Sequence, residues 1–185
     1  MTSRVVRVGG LVAMVGGVLW MAGIVLYALG PSGPGTSPPY REFDFAGVLL
    51  LVAMPLLLAG VLGLRASYGD RSGGMGTGTA VLTIAGTALF VVSAFAGLPW
   101  TLVMLGFYGA CLGAVLMGAV AIQTGAVPNL VAAALIVGSA ALFFFNTETA
   151  AAWLALPFGA AWAAVGYALL RREEGPTAGR PARGG

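Results

Sequence analysis

Six acidic residues are all the carboxylate chemistry this chain has, and each falls at or beyond the end of an apolar stretch. Glu42 and Asp44 sit beside Tyr40 and Arg41 in the segment GPSGPGTSPPYREFD (30–44). Glu148 follows Asn146 in the short sequence NTET. If the first and last helical hairpins adjoin, Tyr40, Arg41, Glu42, Asp44, Asn146 and Glu148 form a small polar cup at one mouth of a bundle, a candidate ligand site. Paired carboxylates with one guanidinium can bind a cation or an amine, or do acid–base work. Each carboxylate also has a plainer use. Asp44 is placed to cap the helix that follows it, and Glu148 stands in the first turn of another, where a negative charge meets the favourable end of the helix dipole. Glu42 and Arg41 are then solvated loop charges.

The residue types that are missing exclude much else. All nine basic residues are Arg, and there is no His or Lys. Without His there is no Ser-His pair, no imidazole-ligated haem and no His-built zinc site. Without Lys there is no Schiff base to retinal or pyridoxal phosphate. The single Cys111 falls in mid-helix and leaves no internal disulfide or Cys-x-x-Cys pair. The run Gly73-Gly74-Met75-Gly76-Thr77-Gly78 has the glycines of a phosphate loop but lacks its Gly-Lys-Ser/Thr ending and follows an apolar helix rather than a strand. It reads as a flexible linker. The expectation is therefore no catalytic residue, no metal and no cofactor.

The elements that position these residues are apolar. The chain is 59% hydrophobic and 8% charged, against about 25% charged residues in a soluble domain. At ~1.5 Å per residue, a helix of about twenty residues crosses a ~30 Å hydrocarbon core. The uncharged stretch 79–122 contains two such lengths around the turn Leu98-Pro99-Trp100-Thr101. The same reading along the chain predicts an all-α, polytopic membrane bundle of six spans, at about 8–29, 45–64, 79–98, 101–122, 130–145 and 150–170. Together they form one domain, 1–172. A prolonged apolar first span followed by Pro31 reads as a retained helix rather than a cleaved signal peptide. Pro55 and Pro157 fall inside the second and sixth spans and predict kinks. Residues 173–185 are polar and Gly/Pro-rich, a disordered tail.

Six spans put both termini on one side. Arg4, Arg7, Arg65, Arg71, Arg171, Arg172, Arg180 and Arg183 fall on that side and Arg41 alone on the other, so the positive-inside rule places both termini in the cytoplasm of a cell whose inner membrane holds the chain. Tyr27, Phe45, Trp100, Phe143 to Phe145 and Trp153 then fall near the outer interface, where such rings are favoured. The Arg residues at the inner helix ends predict contact with anionic lipid headgroups rather than nucleic acid.

Small residues predict how the helices associate, because in lipid they associate by close packing. Gly9, Gly16 and Gly23 recur every seven residues on one face of the first span. Gly109-x-x-x-Gly113 and Gly159-x-x-x-Ala163 offer the same approach on the fourth and sixth. Thr79, Thr83 and Thr87 form a ladder on the third, whose hydroxyls bond either across helices or back to their own backbone. A short pattern recurs in the odd spans: Gly16-x-x-Leu-Trp20, Gly86-x-x-Leu-Phe90 and Ser139-x-x-Leu-Phe143. The even spans share Met54-Pro55-Leu56, Leu105-Gly106-Phe107 and Leu156-Pro157-Phe158. These suggest three tandem two-helix hairpins.

The function expected from these features is that of a non-enzymatic bundle acting in the lipid bilayer through self-association (a homo-oligomer) or a membrane protein partner. The alternative is a small-molecule binding or transport subunit with its polar site on the outer face. In size, six spans and cytoplasmic termini, the chain resembles the substrate-binding subunits of energy-coupling-factor vitamin transporters, a resemblance of topology alone.

Overall fold

The computed structural model describes residues 2–29, 45–145 and 150–174. Among these the chain is helical throughout. α1 spans Thr2–Leu29, α2 Phe45–Tyr68, α3 Gly73–Phe95, α4 Trp100–Thr124, α5 Asn129–Ala141 and α6 Leu156–Glu174. Short 3-10 turns cover Gly69–Ser72, Leu142–Phe144 and Ala150–Ala155.

The breaks follow from backbone chemistry. Gly97 adopts a left-handed φ of 63° after α3, and the Leu98 amide donates back to the Ser93 carbonyl at 2.9 Å. This closing turn needs a residue without a Cβ. Pro99 and Pro128 immediately precede α4 and α5 with φ near −50°, where the proline ring directs the chain into a new helix and its missing N–H leaves no bond unmade.

The helices follow one another around a ring in chain order, and the ring is closed by α1 packing on α6. The tightest pairings are α1 with α2, α3 with α4, and α1 with α6. Each is built on glycine. A methyl group on Gly9 would strike the Gly63 backbone, one on Gly17 the backbone of Gly159 and Ala163, and one on Gly86 the backbone of Gly109 and Ala110. Backbones meeting at this distance gain dispersion contacts that larger residues would block. Gly118 against Ala132 and Ile136, and Gly138 against Pro157 and Phe158, join α4 to α5 and α5 to α6. Trp162, 1% exposed, fills the middle of the ring together with Leu57, Val61, Met117 and Val165.

Four stretches are long and apolar enough to cross a membrane: Ser3–Leu29, Phe45–Phe95, Trp100–Thr124 and Ala152–Arg172. Asn129–Phe144 is a shorter apolar helix. The long run Phe45–Phe95 holds both α2 and α3, divided by the turn at Gly69–Ser72, where Gly69 and Gly73 take φ of 58° and 51°.

Two local expectations change. The glycine run 73–78 is not a linker but the first turns of α3, because the chain has already reversed at Gly73 and Gly76 tucks under Ser72 and the Tyr68 ring. Pro157 kinks nothing. It is the second residue of α6, after a 3-10 turn, a position where a helix has no bond for its amide to make.

Candidate functional site

The ring does not close evenly, and the uneven place holds a cavity. α2 and α3 barely touch beyond their connecting turn. A chamber of about 240 Å³ lies beside them, with walls supplied by α1, α2, α3, α4 and α6 and by Leu142 and Phe145 just past α5. It occupies the half of the bundle nearer the start of α2 and the end of α1, away from the end where Arg65 and Arg172 sit.

Rings form two of its walls. On one side Trp20 meets Phe158 edge-on, with centroids 5.3 Å apart, and Phe158 meets Trp162 in the same manner at 6.4 Å. On the other, Phe107 packs against Phe90 at 5.8 Å and Phe145 at 6.4 Å. Edge-on and tilted ring pairs of this kind hold their geometry better than aliphatic contacts do. Leu50, Met54, Leu57 and Leu58 of α2 form a third wall, and Cys111 and Ala114 of α4 lie opposite.

Most polar atoms near the chamber are already engaged. The Trp20 indole N–H donates to the Ala155 carbonyl at 3.0 Å. The Thr83 hydroxyl donates to the Thr79 carbonyl at 2.9 Å and that of Thr87 to the Thr83 carbonyl at 2.8 Å. The threonine ladder thus bonds chiefly to its own helix, with one contact across to α4, from the Thr83 hydroxyl to the Met117 sulfur at 3.6 Å. The Trp162 indole N–H has no partner among the described residues, and the atom is itself closed off from open space. Among the residues that line it, Cys111 alone carries an ionisable side chain. Among the described residues there is no cluster of three or more His, Cys, Asp or Glu. What the chamber does provide is an apolar volume with rigid walls, the usual form of a small-molecule pocket.

The opposite end of the bundle is tied shut. The Arg65 guanidinium donates to the Thr77 hydroxyl at 2.8 and 3.1 Å, linking α2 to α3. The Tyr68 hydroxyl donates to the Met117 carbonyl at 2.8 Å. Arg172 donates to the Ala126 carbonyl at 2.8 Å, and Arg71 reaches the Thr124 carbonyl at 3.4 Å. Cations on the last carbonyls of a helix satisfy acceptors that have no partner within it. Arg171 lies over the Tyr167 ring at 4.9 Å. Of the arginines expected to meet lipid headgroups, Arg65, Arg71 and Arg172 tie helix ends together.

The residues expected to form a polar cup, Tyr40, Arg41, Glu42, Asp44, Asn146 and Glu148, lie outside the described residues. Of the glycines expected to pack, Gly9, Gly16 and Gly23 face α2 at Gly63, Leu57 and Leu50; Gly113 faces Thr83; and Gly159 faces Gly17 and Trp20. Gly109 differs, with only the Gly86 Cα nearby, at the ordinary contact distance of 3.7 Å from an added Cβ. The chamber residues were not singled out as a site by the sequence reading, although one signal pointed to them. Trp20 and Phe90 end the pattern shared by the odd helices, and Met54, Phe107 and Phe158 belong to that of the even ones. All five line the chamber. No protein-family model, curated protein or solved structure matches this chain.

Proposed function

We propose that this chain is a six-span inner-membrane protein, arranged as three successive hairpins with both termini cytoplasmic, and that it acts without catalysis as a binding or transport subunit for an apolar small molecule held inside the bundle. The observation that carries this reading is the ring-walled chamber of about 240 Å³. Close-packed helices leave few voids larger than a water molecule, so a volume of this size, walled by five helices and the turn after α5, is a feature to be explained by an occupant. Treating α2 and α3 as separate spans rests on the reversal at Gly69–Ser72. Treating α5 as a span rests on its apolar length together with the following 3-10 turn.

This places the ligand in the middle of the bundle rather than in the polar cup at its mouth. Action through self-association or a membrane partner ranks second, because the glycine faces that favoured it are engaged inside the chain: Gly9, Gly16 and Gly23 on α2, Gly113 on α3 and Gly159 on α1. Native mass spectrometry of the protein released from gentle detergent tests the choice. A reproducible small-molecule adduct, absent from Ala110→Leu, supports the binding reading, since Ala110 lines the chamber. A defined oligomer or co-purifying protein with no adduct overturns it in favour of assembly.

A further inference from the structure

The identity of the occupant can be taken further, on the condition that the chamber is the binding site. We infer that it receives the hydrocarbon end of a membrane lipid, which enters sideways between α2 and α3 while the headgroup stays in the bilayer. Three observations lead there.

The first is the chemistry of the wall. The hydroxyls of Thr83 and Thr87 and the Trp20 indole are bonded to backbone carbonyls, and the Trp162 N–H is closed off. A polar group brought into the chamber would lose its water and find little to bond to, which is unfavourable. A hydrocarbon segment loses nothing by entering.

The second is size. A cavity of ~150 Å³ walled by Leu, Ile and Phe holds benzene, so about 240 Å³ corresponds by proportion to about ten carbons. That is too small for a whole lipid and suits the terminal part of one chain.

The third is the way in. The α1–α2, α3–α4 and α1–α6 seams are shut by glycine backbones in contact, and Gly118 and Gly138 join the next two pairs. The glycines in the body of α2 and α3 face elsewhere: Gly60 and Gly63 meet α1, Gly86 meets α4, and Gly78 meets open space. The lips of the remaining seam are half-buried apolar side chains, Met54 and Leu58 on α2 and Phe90 on α3. At the arginine end the Arg65–Thr77 bonds and the connecting turn hold the two helices together. The seam is thus a wedge, hinged at one end and widening toward the chamber.

Trp162 provides the test, because it lines the chamber and is 1% exposed. The full chain carrying Trp20→Phe, Trp100→Phe and Trp153→Phe leaves it as the single emitter. In vesicles of phosphatidylcholine brominated near the chain ends, which quench tryptophan on contact, Trp162 emission should be largely lost relative to unbrominated vesicles. The loss should disappear when Ala110→Leu narrows the chamber. A loss that persists in Ala110→Leu comes from chains outside the bundle and overturns the inference. Quenching by added 1-bromodecane but not by brominated lipid overturns the lipid assignment and leaves the chamber as a ligand site. Quenching by neither overturns both. If the triple variant does not fold, the unmodified chain is photolysed in vesicles of phosphatidylcholine with a diazirine at the chain end. Adducts on Phe90, Cys111 or Phe107 are expected. Adducts confined to outward residues such as Val81 and Leu105 overturn the inference.

Discussion

The seam between α1 and α2 and the seam between α2 and α3 share a helix yet are opposites. On its α1 side, α2 presents Gly60 and Gly63, and the backbones of the two helices meet at Gly9 and Ala13. Toward the chamber and α3 it presents Met54 and Leu58, and the two helices touch little. The difference lies in side-chain size. Glycine lets two backbones approach closely enough for dispersion to accumulate along the whole contact. Leucine and methionine facing a phenylalanine hold the axes apart, and where the rings are also held by each other they cannot collapse into the gap. One face of α2 is therefore structural and the other is free to accept something.

The contrast can be broken most severely from the closed side. Gly17→Leu places a branched chain where the Gly159 and Ala163 backbones already leave no room for a methyl. It should destabilise the bundle by about 3 kcal/mol, the upper part of the range for overpacking, measured as a fall in the detergent-unfolding midpoint. The open side should respond in the other direction. Ala110→Leu fills chamber space and should stabilise the empty protein by about 0.5–2 kcal/mol, as cavity filling generally does, while abolishing ligand uptake. A destabilised Ala110→Leu that still folds would mean that the chamber cannot take a leucine side chain.

A finer comparison lies within one sequence motif. Gly113→Ala puts a methyl against the Thr83 backbone and should cost about 1–2 kcal/mol as a small overpacking. Gly109→Ala has room and should be neutral or stabilising by up to about 1 kcal/mol through helix propensity. Equal losses at both positions in thermal unfolding would show that Gly109 packs more closely than its surroundings indicate. The smallest effect expected is that of Trp20→Phe. It keeps a ring against Phe158 but removes the donor to the Ala155 carbonyl, a loss of about 0.6 kcal/mol for a typical hydrogen bond between membrane helices.

How much of this was readable beforehand depends on the range of the interaction. The all-helical class followed from apolar runs of helical length with almost no charge. The chain breaks at Gly97, Pro99, Gly125 and Pro128 follow from residues whose backbone preferences are local. The role of Gly73 to Gly78 was misread because composition alone does not say that the Tyr68 ring and Ser72 will cover Gly76. Pro157 was misread because its effect depends on where the helix begins, and the Trp20 bond to the Ala155 carbonyl lies at that beginning. The carboxylates attracted attention because titratable groups are the usual carriers of chemistry. The apolar chamber has only the Cys111 thiol, so residue-by-residue chemistry finds little there.

What the sequence determines by itself is the set of helices, the scarcity of charge and the supply of small residues, since all three depend on residue identity and near neighbours. Which glycine meets which backbone, and that Gly9 faces Gly63 while Gly109 faces almost nothing, is decided only when six helices choose their neighbours. The chamber belongs to that second class. Trp20, Phe90, Phe107 and Phe158 come from four different helices, and the volume between them exists only because α2 and α3, adjacent in sequence, are held together at one end and touch little along the rest.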